Sequence, residues 1–398
     1  MTDIYFRTDG NHEIATGHLM RCLAIARACA QKGANVKFIV SDEESLTLLQ
    51  ERLTASQEFG ICCLNRCYKD LHEEIPALLS CLASDTAEKQ STPDVKQWIF
   101  IDSYYASTPY FEALRKYFRV AYIDDLQSFD CAVDLVINYD SDESSNCYAN
   151  ASRRLLGAQY TPLRQQFRAP SYQVRPAVKH VLLSTGGTDP YRVAESLLQA
   201  IFGKNDFSTS TLNMQVVSSF VQDMPALRSL HYHVLTSRTN SRYDALDALA
   251  QTHPSIHIHT NVTEVAALMA SCDLAVSAGG TTLCELCAVG VPSVSYLMAE
   301  NQRTAVETYA KKKLIPCAGD IRPVGCTADS ATPKADTVNL PDQGKADFDL
   351  LNYPTLLRIL DFLSTMAQNH TARVKISTAM RNYLDGTGAE QIAQALLP

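Results

Sequence analysis

Three turns carry residues whose types and spacing could do chemistry. The first runs Arg7-Thr8-Asp9-Gly10-Asn11-His12-Glu13-Ile14-Ala15-Thr16-Gly17-His18-Leu19-Met20-Arg21-Cys22 and joins an apolar run at 4–7 to an amphipathic stretch at 18–31. Gly10 and Gly17 permit tight backbone paths. Thr16 or Gly17 caps a helix and sets His18 in its first turn. Free amides there offer an anion site, and an imidazole beside a bound substrate is a suitable general base. The same spacing also describes an ordinary, partly exposed first-turn histidine.

The second turn is Ser184-Thr185-Gly186-Gly187-Thr188-Asp189-Pro190 and the third is Ser277-Ala278-Gly279-Gly280-Thr281-Thr282. Both follow Ser-x-Gly-Gly-Thr between an apolar run and a helical pattern. As a pair they suggest a backbone cradle for phosphate oxygens; singly, Gly-Gly after a strand often serves tight packing. Neither matches the P-loop or the dinucleotide fingerprint. Glu285 follows Thr281 by about one helical turn. A carboxylate there suits a ribose diol, since it accepts two hydrogen bonds; it also suits the helix dipole. Asp102 and Tyr104 follow an apolar run at 98–101, and Asp124 and Asp125 follow one at 120–123. A carboxylate at that edge could orient His18 or hold a sugar hydroxyl. Capping is the alternative for Asp124 and Asp125. The close pairs Cys284/Cys287 and Cys63/Cys67 have no histidine at metal-like spacing, so no metal and no cofactor are expected.

The elements that must position these residues read as alternating strands and helices. Strands are expected at 4–7, 36–40, 98–101, 120–123 and 133–137, with helices at 18–31, 44–53 and 110–117. Residues 165–178, with two prolines and no period, read as a linker. Strands then recur at 181–184, 215–219, 274–277 and 293–297, with helices at 191–202, 263–271, 281–289 and 302–313. Terminal helices are expected at 356–363, 371–383 and 389–397. This alternation predicts α/β architecture with doubly wound parallel sheets. The expected domains are 1–165, carrying the histidine turn, and 179–398, holding nucleotide, joined by 166–178. Residues 84–94 read as a polar loop, and 316–350 as a loop of a length that is usually functional or mobile.

A chain of 398 residues fits two or three domains at about 150 residues each. Lys and Arg number 35 against 43 Asp and Glu, a net charge of −8. That balance argues against a nucleic-acid partner or an anionic membrane surface, which call for basic excess. No apolar run approaches the roughly 18 residues of a membrane helix. The charged N-terminus does not read as a signal peptide. The 13 cysteines are therefore expected as reduced thiols in a cytoplasmic protein.

The run Arg7, Asp9, Ile14, Gly17, His18, Met20, Arg21, Cys22, Leu23 resembles the N-terminal signature of the nucleotide-sugar hydrolases of the pseudaminic acid pathway. It is also similar to related spore-coat polysaccharide proteins. The likeness continues in order through Asp102-Ser103-Tyr104, Ile123-Asp124-Asp125, residues 155–164, both Gly-Gly-Thr turns, Glu285, Asn301-Gln302 and Asp385-Gly386-x-Gly388-Ala389. Ala15 stands where the family has glycine, and the loop after Cys317 is longer. The resemblance implies a GT-B-like fold of two Rossmann-like domains with a cleft between them. It implies metal-independent, inverting hydrolysis of UDP-2,4-diacetamido-2,4,6-trideoxy-β-L-altropyranose to UDP and free sugar, with His18 activating water. By the same resemblance, Asp9, Gly17, Arg21, Asp102, Tyr104, Asn301 and Gln302 would contact substrate. Gly186, Gly187, Thr188, Gly279, Gly280, Thr281, Thr282 and Glu285 would hold the UDP moiety. Two alternatives share the fold: an inverting glycosyltransferase using a nucleotide-sugar donor, and a non-catalytic nucleotide-sugar binding protein.

Overall fold

The structure is a computed structural model. It describes residues 2–11, 14, 16–53, 59–124, 126, 130–140, 148–168, 171–203, 225–322 and 354–397, except 88–95 and the side chains of 84–87 and of Asn301. The chain divides into two compact units, Met1–Gln165 with Gly386–Pro398, and Gln166–Asp385. Each is a Rossmann-like α/β unit built on one parallel sheet.

The first unit contains β1 (Asp3–Thr8), α1 (Gly17–Gln31), β2 (Asn35–Val40), α2 (Glu43–Arg52), β3 (Gly60–Cys63), α3 (Ile75–Ala87), β4 (Trp98–Asp102), α4 (Thr108–Leu114), β5 (Arg119–Ile123), β6 (Leu135–Asn138) and β7 (Arg154–Leu156). The sheet order is β3-β2-β1-β4-β5-β6-β7, with every pairing parallel. Alternate residues of β1 feed opposite faces, as the pleat demands. Ile4 and Phe6 join the core that holds Leu19, Cys22 and Leu23 of α1, while Tyr5 joins the core under α3 and α4. Phe6 stacks on Phe38 and meets Phe100, at ring-centroid separations of 5.4 and 5.1 Å.

The second unit contains β8 (His180–Ser184), α5 (Val193–Phe202), β9 (His231–Leu235), α6 (Tyr243–Thr252), β10 (Ile256–His259), α7 (Val265–Ser271), β11 (Leu274–Ala278), α8 (Thr282–Val289), β12 (Ser293–Leu297), α9 (Arg303–Lys311), β13 (Cys317–Asp320), α10 (Pro354–Gln368) and α11 (His370–Tyr383). Its order is β10-β9-β8-β11-β12-β13, again all parallel. Val181 and Leu183 pack with Leu197 and Ile201 of α5 and with Ile359, Leu360 and Leu363 of α10.

The structure corrects several expectations. The last helix, α12 (Gly388–Leu396), falls within the expected second domain, 179–398, but lies in the first unit. Its Ala389, Ile392, Ala393 and Leu396 fill the same core as α1. Gly388 explains the glycine of the Asp-Gly-x-Gly run. A Cβ there would sit 2.2 Å from the Thr161 carbonyl oxygen and 2.6 Å from its amide nitrogen, so only glycine lets the helix start that close to the Thr161 backbone. The segment expected to be a loop from 316 opens with a strand, β13, and residues 84–87 of the expected polar loop finish α3. The expected strand at 215–219 lies outside the described residues. Not all thiols are free: Cys62 at the end of β3 and Cys81 on α3 form a disulfide, their Cα atoms 6.7 Å apart. Among the described residues no helix is long and apolar enough to cross a membrane.

Strands β9 and β10 escape a search for apolar runs because histidine alternates with apolar residues along them. Five of the ten histidines form a ladder across β8, β9 and β10. His180 Nδ1 pairs with His233 Nε2 at 3.0 Å, His233 Nδ1 with His259 Nε2 at 2.9 Å, and His231 Nδ1 with His257 Nε2 at 3.1 Å. Burial, then the neighbouring rings, pushes His233 down to about 4, and His180 and His259 are lowered too. The nearby Asp273 carboxylate opposes this at His180. A lowered histidine holds the fold best while neutral. Its contribution is therefore present above the unfolded-chain value near ~6.5 and is lost as pH falls toward the folded value. The urea midpoint is expected to fall between pH 7 and pH 5, and His233→Gln should flatten that slope. An equal slope in the variant would remove the ladder as its cause.

Candidate active site

In an open parallel sheet, ligands bind beyond the strand carboxyl ends where strand order reverses. In the first unit that point lies between β1 and β4, which are adjacent. The residues at this point are those of the histidine turn and of Asp102. His18, in the first turn of α1, is 6% exposed, and Asp102, the last residue of β4, is 1% exposed. His18 Nδ1 lies 2.5 Å from Asp102 Oδ1. Arg21, one turn further along α1, donates from Nε to Asp102 Oδ2 at 2.6 Å and from Nη2 to Oδ1 at 2.5 Å. Its Nη1 donates to the Tyr139 hydroxyl at 2.6 Å. The Cys22 thiol also donates to Asp102, at 3.4 Å. Burial alone would raise the Asp102 carboxyl, but Arg21 and then His18 outweigh it and hold it well below the usual carboxylate range.

The spacing of α1 explains this convergence. Residues 18, 21 and 22 share a helix face, and that face looks onto the end of β4. His18 Nδ1 faces both Asp102 Oδ1 and, at 3.0 Å, Arg21 Nη2; the carboxylate is the shorter contact and favours the proton on Nδ1, which leaves Nε2 as the nitrogen that can accept one. Tyr104 lies edge-on to His18, at 4.5 Å between ring centroids, and is 47% exposed.

Asp9 sits differently from a substrate ligand. Its Oδ2 accepts from Arg7 Nη1 at 2.6 Å and from the Ser41 hydroxyl at 3.0 Å, and its Oδ1 accepts from the Ser41 amide at 2.6 Å. Arg7, fully buried, makes a bidentate pair with Glu74, both contacts at 2.7 Å. The Tyr110 hydroxyl completes the group on Glu74 at 2.8 Å. Asp9 thus braces the floor of the turn. Asp124 accepts from the Tyr148 hydroxyl at 2.9 Å and from the Leu126 amide at 3.1 Å, which is a turn-holding role; Asp125 lies outside the described residues. At Gly17 a Cβ would meet nothing within 4 Å, so space does not demand glycine there. Sequence reading missed Glu74, Ser41, Tyr110 and Tyr139. Each is supplied by a distant segment, and no spacing signals it.

In the second unit the order reverses between β8 and β11, and the two Gly-Gly-Thr turns follow those strands. They are not equivalent. After β8, Gly186 takes φ +87°, and Thr188 is exposed. Asp189 accepts the Val193 and Ala194 amides at 2.9 Å each. Burial raises its carboxyl to about 6 against the pull of those amides. The start of α5 therefore already holds an anion from the chain itself. After β11, Thr281 precedes α8 with no side-chain cap, and Glu285 lies in the first turn. The amides of Gly279, Gly280, Leu283 and Cys284 around this start donate to the carbonyls of Tyr296, Ala278, Gly280 and Thr281. Thr282 and Glu285 are partly exposed and Thr281 is exposed.

Gly279 has a packing reason. A Cβ on it would lie 2.3 Å from Val306 Cγ2 and 3.1 Å from Gln302 Cβ. Gln302 in turn accepts the Met298 amide at 3.2 Å. Asn301 lies beside it in a short 3-10 turn, Glu300–Gln302. Gly280 has nothing within 4 Å of its would-be Cβ. Gly279→Ala is expected to cost about 1–3 kcal/mol by overpacking, with Gly280→Ala close to wild type. Urea midpoints of the two variants check this, and equal midpoints would refute it. Gly187 accepts the Ser237 amide at 3.1 Å, a neighbour supplied by the β9 loop that sequence reading did not identify. The cysteines of Cys284-x-x-Cys287 have separate partners, the Tyr309 hydroxyl and the Met380 carbonyl oxygen, both at 3.3 Å. Among the described residues no group of His, Cys, Asp and Glu is arranged to hold a metal.

No family model matches the chain. It is 24% identical over 326 residues to an uncharacterized protein of Methanocaldococcus jannaschii, MJ1062, covering 77% of this chain and 57% of that protein. It is 23% identical over 181 residues to the spore coat polysaccharide biosynthesis protein SpsG of Bacillus subtilis, covering 44% and 48% of the two chains. The chain thus spans about half the length of the curated relatives it matches. Among solved structures it is similar to MurG of Acinetobacter baumannii, with a TM-score of 0.60 and 12% identity over 100% of this chain and 99% of that one. It is also similar to Arabidopsis thaliana UGT89C1 complexed with UDP-L-rhamnose, with a TM-score of 0.57 and 10% identity over the same shares. The fold is GT-B-like, as the resemblance implies.

Proposed function

We propose that the chain transfers a glycosyl group from a nucleotide-sugar donor to a hydroxyl, with His18 as general base. The observation that carries this is the buried Asp102–His18 pair at the strand-order reversal, with Nδ1 committed to the carboxylate and Nε2 left to take a proton. The acceptor oxygen attacks the anomeric carbon as Nε2 takes its proton, and Asp102 stabilises the resulting imidazolium. The bond to the diphosphate breaks with its electron pair on the departing oxygen. In-line displacement of this kind inverts the anomeric carbon. The positive end of α8, at Thr281 and Thr282, is suited to the departing charge. Glu285 is suited to the ribose. A nucleoside diphosphate is already a good leaving group, so no separate general acid is required. The sugar nucleotide in the UGT89C1 complex and the spore-coat relative support this donor class.

A second reading makes water the acceptor, as the resemblance to the pseudaminic acid hydrolases implies, with UDP-2,4-diacetamido-2,4,6-trideoxy-β-L-altropyranose as substrate. The 6% exposure of His18 favours it, since a small nucleophile reaches such a ring most easily. One assay separates the readings. UDP release is followed from that substrate and from UDP-N-acetylglucosamine, in EDTA, with and without chitotriose. Release only with the saccharide supports transfer, and release without it supports hydrolysis. If neither donor turns over and UDP does not bind, both readings fall.

A further inference from the structure

Resting on the transfer reading, we infer that Tyr104, Tyr105 and Tyr68 form a stacking platform for a neutral pyranose oligosaccharide, the acceptor whose hydroxyl reaches His18. Large apolar side chains are seldom left bare without a function when they gather in one patch. Tyr104 is 47% and Tyr105 39% exposed. They are consecutive residues in the turn after β4, at the carboxyl edge of the first sheet. The Tyr104 ring lies 4.5 Å from that of His18, and the Tyr105 ring meets Tyr68 edge-on at 5.6 Å. The first of these contacts is at the proposed base, and the second is one residue further along the same turn.

The chemistry of the row selects its occupant. A tyrosine offers an apolar face and a polar rim. A pyranose offers the complement, with axial C–H groups on its faces and hydroxyls at its edge. A water-only site needs no such extension, because a single water makes no contact beyond the base. A lipid tail would bury the tyrosine hydroxyls without partners, at a desolvation cost. In the transfer, the saccharide oxygen gains the bond to the anomeric carbon, its proton passes to His18 Nε2, and the diphosphate leaves with the bonding pair.

The test is titration of the full chain with chitotriose and with cellotriose, followed by saturation-transfer NMR, for wild type, Tyr105→Ala, Tyr68→Ala and Tyr105→Phe. Tyr117→Ala is the control; Tyr117 is 53% exposed but precedes β5, at the opposite edge of the sheet. Loss of one stacked ring is expected to weaken saccharide binding about tenfold. Tyr105→Phe should restore most of it. Tyr117→Ala should leave it unchanged, and UDP affinity should match wild type in every variant. No binding of either saccharide by wild type overturns the platform, as does binding that survives both alanine substitutions. UDP release that needs His18 but ignores saccharide overturns the platform and leaves His18 as the base. Saccharide binding that depends on Tyr105, without nucleotide-sugar turnover in any condition, keeps the platform and overturns the transfer reading.

Discussion

His18→Ala is expected to lower nucleotide release by about 10²–10⁴-fold, the usual contribution of a positioned general base. Donor affinity should stay within twofold of wild type, because the proposed nucleotide contacts belong to the second unit. The effect should fall on kcat and kcat/KM alike, the pattern for an interaction made in the transition state. Asp102→Asn is the companion variant. It keeps the shape of the site but can donate a hydrogen to Nδ1, which favours the wrong tautomer and leaves Nε2 protonated. It should therefore approach the alanine variant in severity. The Arg21 guanidinium would also lose its anionic partner, so Asp102→Asn should cost stability as well as rate. Asp102 is held below the ordinary carboxylate range. The stabilisation from its pairing is present above the unfolded-chain value near ~3.9 and is lost as pH falls below it. Acid sensitivity between pH 7 and pH 5 is thus not expected from this carboxylate. Wild-type turnover in His18→Ala would remove the base assignment outright.

Arg7→Met is expected to destabilise the first unit by about 3–5 kcal/mol, the cost of leaving a buried charge without its partner. Arg7 and Glu74, which it pairs bidentately, are fully buried, and Asp9, which it also contacts, is buried. Methionine matches the arginine stem in volume but leaves the buried Asp9 and Glu74 carboxylates without their cation, with only Ser41 and Tyr110 as hydrogen-bond donors among the described residues. At the usual size scaling this is a fall of roughly 10 °C in melting temperature. The double variant Arg7→Met, Glu74→Gln should recover part of the loss, since it removes one unpaired charge. Denaturant melts of both variants against wild type measure the coupling. A midpoint for Arg7→Met within error of wild type would falsify the brace. Because Asp9 belongs to the histidine turn itself and holds it to Ser41, the same variant should also lower turnover per folded molecule.

Much of this protein was legible from the order of its residues. The alternation of apolar runs and amphipathic stretches is a local property of the chain, so it fixes β-α-β architecture and parallel sheets. Chemistry-bearing turns are local too, which is why His18, Tyr104 and the Gly-Gly-Thr pairs stand out in the sequence itself. Strands β9 and β10 were invisible to that reading because histidine breaks their apolar runs and pairs only with neighbouring strands. The match of Asp102 to His18 depended on strand order: it follows from β1 lying beside β4, and pairing between strands so far apart in sequence carries no spacing signal. The same holds for Glu74 against Arg7, 67 residues away, which turned Asp9 from a candidate ligand into part of a brace. It holds for Asp189, which made the two glycine turns unequal by capping one helix with the chain's own carboxylate. The last helix shows the limit most plainly. Its apolar face is written in its own sequence, but which core buries that face depends on where the chain has room. Gly388 against Thr161 and the apolar face of α1 placed it in the first unit. Periodicity determines what an element must bury, and only three-dimensional packing decides against what.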